Sequence, residues 1–184
     1  MVHKDKRLPT VKKGPVQKEV YVYLDISSGS ETEVFPSIDK NMVTQSSKGR
    51  LVRKIVGTSV RDRMLMLKKV RSGLNSGVIE ILEHEFDASQ KELAAWLSIP
   101  STTLSRRKKT GKLKADESDR AVRYARIRDM AVDLMQGDKD AAISWLRTPK
   151  DILGGESPLE HATTEIGARD VEDLMGRIQH GVFS

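Results

Sequence analysis

The sequence predicts an all-α protein: a helix-turn-helix bundle followed by a small helical domain. Three observations carry that reading. Apolar residues recur at helical spacing through most of the chain after residue 58, and residues 20–24 alone look β-prone. Residues 89–114, SQKELAAWLSIPSTTLSRRKKTGKLK, read as two short helices around a tight turn. The charge is also divided. Residues 1–114 carry 23 Lys/Arg against 12 Asp/Glu, residues 115–137 carry 4 against 5, and residues 138–184 carry 5 against 9. A basic front and an acidic back suit two partners of opposite character, nucleic acid at the front and protein at the back.

Residues 1–50 read as a flexible arm. Pro9, Pro15, Pro36 and the Ser/Gly run at 27–30 punctuate it, and residues 20–24 form a short strand that needs a partner. Residues 51–115 are expected to form the helix-turn-helix domain and residues 116–184 a second helical domain, with about seven helices in all. Residues 58–71 form a helix with Val60, Met64 and Leu67 on one face, ended by Gly73. Residues 75–86 form the next, burying Ile79, Leu82 and Phe86, with Phe86 and Trp96 as core residues. The carboxylates of Glu80, Glu83, Glu85 and Asp87 read as a solvated face.

Within residues 89–114, Ser89 is an N-cap and Glu92 completes a capping box. Leu93, Ala94 and Leu97 share a face, and the small Ala94 lets a second helix cross closely. The segment Ser98-Ile99-Pro100 breaks the helix, because the residue before a proline is driven out of the α region. Ser101 is placed as the cap of the second helix, residues 102–109, with Leu104 and Ile99 turned to the corner. Between Leu93 and Ala115 there is no Asp or Glu, whereas Arg106, Arg107, Lys108, Lys109, Lys112 and Lys114 all fall there. Turn, small residue, apolar positions and charge together point to double-stranded DNA. The second helix of such a motif meets base edges with its N-terminal residues, so Ser101, Thr102 and Arg106 are the expected readers. Gln90, Thr103, Arg107, Lys108 and Lys109 are expected phosphate contacts, and Ser105 belongs to the same contact set.

Downstream, Asp116 is placed as the cap of a long helix over residues 117–135. Ala121, Ala125, Arg128 and Ala131 lie on one side of it, and Gly137 stops it. Residues 139–147 follow, with Ala142, Ile143, Trp145 and Leu146 inward and Pro149 as terminator. Gly154-Gly155 is a tight turn rather than a phosphate loop, since neither a strand nor a P-loop lysine accompanies it. Ser157-Pro158-Leu159-Glu160 starts a short helix expected to end near Gly167. A last helix over 168–180 buries Val171, Leu174, Met175 and Ile178, with Gly181 as its C-cap.

Several classes are set aside. With no cysteine, disulfides and thiolate metal sites are excluded. The four histidines, His3, His84, His161 and His180, offer no ligand pair on one helix, so no metal or cofactor is expected. No Ser/His/Asp set is suggested by spacing, and a non-enzymatic role follows. The N-terminus lacks an apolar signal core and no run approaches the ~18 apolar residues of a membrane span, so a cytoplasmic protein is expected.

From about residue 70 to residue 184 the chain resembles Xre-type antitoxins paired with RES-domain toxins, a group related to the MbcA and ParS antitoxins. The resemblance rests on TLSRRKKTGKL, the ESDR that follows, ISWLRTP, and LGGESPLEHATTEIGARDVEDLMGRIQHGVFS, in that order. Ser98 departs from the common pattern, in which glycine is frequent in the turn. The resemblance implies a protein that binds operator DNA, usually as a homodimer, and represses its own operon. It also implies that the C-terminal part binds a cognate RES-domain toxin, which consumes NAD or transfers its ADP-ribose, and occludes its active site. The expected toxin-binding residues are Glu172, Arg177, His180, Gly181, Val182, Phe183 and Ser184. An NAD site must accommodate a pyrophosphate, so a tail bearing a carboxylate mimics phosphate there while Phe183 fills a base-sized pocket. The alternative is a helix-turn-helix regulator whose C-terminal domain only dimerises or binds a non-toxin partner.

Overall fold

Helical periodicity after residue 58 is realised as a bundle around one long helix. In the computed structural model, residues 49–58 and 62–181 are described, together with the backbone of two strands, β1 (Tyr21–Leu24) and β2 (Glu31–Val34). The strands form an antiparallel pair in the register Tyr21↔Val34 to Leu24↔Glu31, so the expected strand finds its partner ten residues on. The remainder of the arm, and with it the expectation of flexibility, lies outside the described residues. Residues Gln45–Ser184 make one compact unit.

Nine α-helices are present among the described residues. They are α1 (Arg50–Val56), α2 (Arg63–Ser72), α3 (Gly77–Phe86), α4 (Gln90–Trp96), α5 (Ser101–Thr110), α6 (Ala115–Leu134), α7 (Lys139–Arg147), α8 (Pro158–His161) and α9 (Glu165–His180). Helix α6 is the axis, packing against α1, α2, α3, α7 and α9. Its Ala121, Tyr124, Ala125, Ile127 and Ala131 are fully buried, and the three alanines let neighbouring helices approach closely. The expected boundary at 115/116 therefore falls at the start of a helix that both halves bury. Phe86, Trp96 and Tyr124 form the aromatic centre. Trp96 stacks on Tyr124 at 5.9 Å and Phe86 meets Trp96 edge-on at 5.8 Å. Burial pushes the Tyr124 hydroxyl's pKa well up, and that hydroxyl donates to the Leu159 carbonyl at 3.0 Å.

Helix α1 was not expected, because nothing local caps it. Gly49 stands at its N-cap with φ 69° and has no side chain to offer. Asp129 of α6 supplies the cap, accepting from the backbone N–H of Leu51 at 2.9 Å and of Val52 at 3.1 Å. At the other end Lys69 of α2 donates to the carbonyls of Val56 and Gly57 at 3.0 and 2.9 Å. Thus anchored, α1 buries Leu51, Val52, Ile55 and Val56. Burial pushes the Asp129 carboxyl up, opposed by those two N–H groups and by the Arg128 guanidinium beside it. Arg128 is itself 3% exposed and pairs with Glu85 of α3, which also holds Lys54 of α1.

Other expectations are corrected. The helix expected over 58–71 begins only at Arg63, where Asp62 accepts from the Leu65 N–H at 3.0 Å. Val60 lies outside the described residues. Met64 and Leu67 are 77% and 42% exposed, because the turn toward α1 brings Val70 inward instead. Glu83 and Glu85 are not a solvated face, since both are ion-paired. Ser101 is the first helical residue of α5 rather than its cap, a position held by Pro100. Lys114, not Asp116, stands at the N-cap of α6, where the Glu117 carboxylate accepts its N–H at 2.7 Å. Gly167 does not end α8. It sits in the first turn of α9, after Thr164 has capped that helix by accepting the Gly167 N–H at 3.0 Å. A Cβ at Gly167 would stand 1.9 Å from the His161 carbonyl oxygen, so glycine permits the α8–α9 corner.

Because α1 depends on one buried carboxylate, Asp129→Ala leaves two backbone donors without partners and should cost about 2–4 kcal/mol. Chemical denaturation of the parent and variant measures this. An unchanged midpoint would mean that α1 is held by its apolar face alone.

Candidate nucleic-acid interface and C-terminal groove

The helix-turn-helix forms as its local signals require. The Ser89 side chain accepts from the Glu92 N–H at 3.2 Å, and the Glu92 carboxylate accepts from the Ser89 N–H at 2.8 Å. Leu93, Ala94, Leu97, Ile99 and Leu104 are all buried at the crossing of α4 and α5. Ser98 adopts φ 51°, the left-handed region that favours glycine. Two backbone bonds close that turn, Ser98 N–H to the Ala95 carbonyl at 3.0 Å and Ile99 N–H to the Ala94 carbonyl at 2.9 Å. Arg120 of α6 donates to the Leu97 carbonyl and so ties the turn to the axis.

The expected contact residues separate by what they already touch. Ser101, Thr102, Arg106 and Lys109 are exposed, and Thr102, Arg106 and Lys109 follow helical spacing along one face of α5. Thr103 and Ser105 are half-buried. Gln90 donates to Ser105 Oγ at 2.7 Å, and Ser105 donates to the Ser101 carbonyl at 3.0 Å, so these residues lock α4 to the start of α5. Arg107 forks onto Glu117, Nε to Oε2 at 2.9 Å and Nη2 to Oε1 at 3.1 Å, with both side chains largely buried. Lys108 reaches back to Glu83 at 2.8 Å. These two expected phosphate contacts are thus engaged with carboxylates. Arg106, Lys109, Lys112 and Lys114 carry no ion pair among the described residues.

The sequence reading assigned no role to Arg147, at the end of α7. Its guanidinium donates to Glu92 at 2.7 Å, to the Phe86 carbonyl at 3.1 Å and to the Asp87 carbonyl at 2.7 Å, and lies 5.6 Å above the Trp96 ring. One side chain therefore closes the last carbonyls of α3, the capping box of α4 and the aromatic centre. The only signal for it was an arginine directly after the apolar run Ile143–Leu146.

The C-terminal part folds back over α6. Asp138 caps α7 by accepting the Ala141 N–H at 2.9 Å, and Asp151–Leu153 form a 3₁₀ turn before Gly154 and Gly155, both left-handed at φ 70° and 82°. Ser157 and Glu160 make the expected capping box, with proline at the first helical position. Arg123 pairs with Glu165 at 3.0 Å, and Arg126 pairs with Glu172. His161 lies between Glu156 at 2.7 Å and Asp170 at 3.2 Å, and its pKa is raised, first by the Glu156 hydrogen bond and then by Asp170. Among the expected toxin-binding residues, Arg177, His180 and Gly181 are exposed and Glu172 is partly shielded by Arg126. Val182, Phe183 and Ser184 lie outside the described residues. A groove runs between the Ile152–Gly154 turn and the outer face of α9.

Among the described residues no helix is long and apolar enough to cross a membrane, and no group of His, Asp or Glu could hold a metal ion. Two family descriptions match the chain. "Antitoxin Xre-like helix-turn-helix domain" covers residues 66–126, and "Antitoxin Xre/MbcA/ParS C-terminal toxin-binding domain" covers residues 130–181. The chain is 36% identical over 142 residues to Antitoxin Xre of Yersinia enterocolitica, spanning 77% of this chain and 96% of that one. It is 50% identical over 74 residues to Antitoxin Xre of Photorhabdus laumondii, 40% of this chain and 50% of that one. To Antitoxin Xre of Pseudomonas putida it is 38% identical over 84 residues, 45% and 52% of the two chains.

Ser89 and Arg147 together set a pH dependence. Hydrogen bonds from the Ser89 side chain and then from Arg147 hold the Glu92 carboxyl at about 2, below its usual 4.5. A depressed folded-state pKa contributes stability in full above 4.5, and that stability is lost as pH falls toward about 2. Glu92→Gln should therefore flatten the acid limb of the stability profile across that window. Urea midpoints at a series of pH values read it directly, and parallel limbs in parent and variant would refute the assignment.

Proposed function

The chain belongs to the Xre antitoxin family, and from that premise we propose that it neutralises a cognate RES-domain toxin and represses its own operon. The toxin is an enzyme that consumes NAD or transfers its ADP-ribose, and the antitoxin acts by binding it and occluding its active site. The same chain, as a homodimer in the cytoplasm, binds operator double-stranded DNA. It performs no chemistry of its own.

The observation that carries the DNA half is the free face of α5. Thr102, Arg106 and Lys109 are exposed in line, with Ser101 at the helix start. Ser101, Thr102 and Arg106 read base edges in the major groove. Lys109, Lys112 and Lys114 lie against phosphates, joined by Thr103 and by Gln90 at the helix crossing. Arg107 and Lys108 hold α5 against α6 and α3 instead, because an arginine already forked on a buried carboxylate is not available to a phosphate. Two motifs in a dimer would meet half-sites about 34–36 Å apart.

The toxin half is supported by the match of residues 130–181 to a toxin-binding domain. Inhibition is assigned to the tail from Gly181 through Val182 and Phe183 to Ser184, inserted where the toxin holds the NAD pyrophosphate. Glu172, Arg177 and His180 flank its entry.

Two experiments test the two halves. Arg106→Ala should relax preference for the operator at one base pair, worth about 1–3 kcal/mol of discrimination. Lys109→Ala should weaken all DNA alike and lower the salt slope by about one. Arg107→Ala should instead lower fold stability, since it strands the buried Glu117. Electrophoretic mobility shifts across a salt series, with melting curves for each variant, distinguish the three. If Arg106→Ala binds and discriminates like the parent, the groove assignment is wrong. For the toxin, deletion of residues 181–184 should leave operator binding intact and sharply reduce protection of cells co-expressing the cognate toxin. Full protection by the truncated chain would remove the tail from the mechanism.

A further inference from the structure

Helix α1 lies outside both matched stretches, 66–126 and 130–181, and Asp129, which caps it, falls between them. Its seven residues are too few for a helix to persist alone in water. Nothing within α1 offsets that, since neither end is capped by a side chain of its own. The N-terminal donors go to Asp129 of α6, and the C-terminal carbonyls go to Lys69 of α2. Glycines in the left-handed region bound the helix on both sides, Gly49 at φ 69° and Gly57 at φ 66°. Such residues rotate about their backbone at little steric cost. A Cβ at Gly57 would stand 3.3 Å from Lys69 Nζ, so the ammonium sits directly over the second of these joints.

The charges that hold α1 place it more than they stabilise it. Arg128 and Asp129 are each 3% exposed, and burying them costs free energy that their ion pairs only partly return. The Arg128 Nε is buried with no hydrogen-bond partner. Lys54, the link from α1 to Glu85, has a side chain 51% exposed, and a pair so open to water adds little. Closure therefore rests on burial of Leu51, Val52, Ile55 and Val56. The rest of the bundle has its own cohesion. Its aromatic centre is drawn from α3, α4 and α6, and α6 keeps α2, α3, α7 and α9 around it. Lifting α1 returns the Asp129 carboxylate to water and breaks none of those contacts.

We infer that α1 is a strap that opens and closes as one unit while α2 to α9 stay folded. It swings at Gly57, and its two fastenings are the Asp129 carboxylate at one end and the Lys69 ammonium at the other. Closed, it buries its four apolar side chains in the bundle. Open, it releases the chain before Gly57 and uncovers that apolar stripe, while the face it leaves on α6 carries a charge that water accepts. A short helix held by few apolar side chains and by caps from other elements belongs to the low-stability end of a fold. The strap is independent of the toxin and operator readings, because neither assigned site includes a residue of α1.

Native-state amide hydrogen exchange on the full chain, resolved by residue, tests this. In the parent, the amides of Ile55 and Val56 should exchange about tenfold or more faster than those of Ala125 to Ala131 in α6, and at a common opening rate with Leu51 and Val52. Lys69→Met keeps the side-chain stem and removes only the fastening at the far end. It should speed exchange of Leu51 and Val52 as much as that of Val56, by about tenfold, and leave Leu93, Leu104 and Leu146 unchanged. Asp129→Ala should act on the same amides from the other end, and should leave the exchange of Leu93, Leu104 and Leu146 as in the parent. Exchange of α1 in step with α6 in the parent would overturn the strap. So would a Lys69→Met effect confined to Val56 and Gly57, which is fraying of one end rather than opening of a unit. Should Asp129→Ala fail to fold, the parent and Lys69→Met decide between these outcomes on their own.

Discussion

The polar side chains of α6 decide how this protein is assembled. An amphipathic helix ordinarily turns its charges to water. Here six of the charges on α6 fasten other elements. Glu117 holds Arg107 of α5, Arg120 holds the turn after α4, and Arg123 and Arg126 hold α9. Arg128 holds α3, and Asp129 caps α1. Apolar burial along the alanine face supplies the cohesion, and these contacts set which helix lies where. Removing one partner of a largely buried pair strands the other, so the pairs act as registration marks more than as sources of stability.

This explains why some of the fold was legible and some was not. The helix-turn-helix declares itself over short range. Ser89 and Glu92 are three residues apart, Pro100 follows the turn, and Ala94 and Leu104 fall where two crossing helices need them. The same is true of Ser157-Pro158-Leu159-Glu160. Helix α1 was invisible because the groups that cap it come from 77 to 78 residues later and from 12 to 13 residues later. Glycine usually marks helix ends, so Gly167 reads as a stop, whereas in the fold it answers a steric demand from the His161 carbonyl. Met64 and Leu67 fit a helical stripe, but Asp62 starts the helix later and Lys69 and Val70 face α1.

The candidate sites divide in the same way. Charge counting marked the basic stretch but could not tell which of its cations were already engaged. The partner of Arg107 lies ten residues ahead, and that of Lys108 lies 25 residues behind. Exposure, rather than charge, separates Arg106 and Lys109 from their neighbours. On the C-terminal side the sequence reading marked Glu172, Arg177 and His180 of α9 as expected toxin contacts. The turn at Ile152–Gly154, distant in sequence, lines a groove together with those three residues.

Arg147 bears on how readily this protein can exchange parts with its relatives. Two family descriptions, one for each half, suggest interchangeable modules. The guanidinium contradicts that simplicity, since it belongs to the C-terminal half and finishes the local structure of the DNA-binding half. A chimera joining a foreign helix-turn-helix to this C-terminal half must bring a carboxylate at position 92, free carbonyls at 86 and 87, and an indole at 96. A graft lacking them would leave the arginine with nothing to grip, and the seam would run through a hydrogen-bonded joint instead of a linker. Exchange of either half of this chain is therefore constrained at the joint between them.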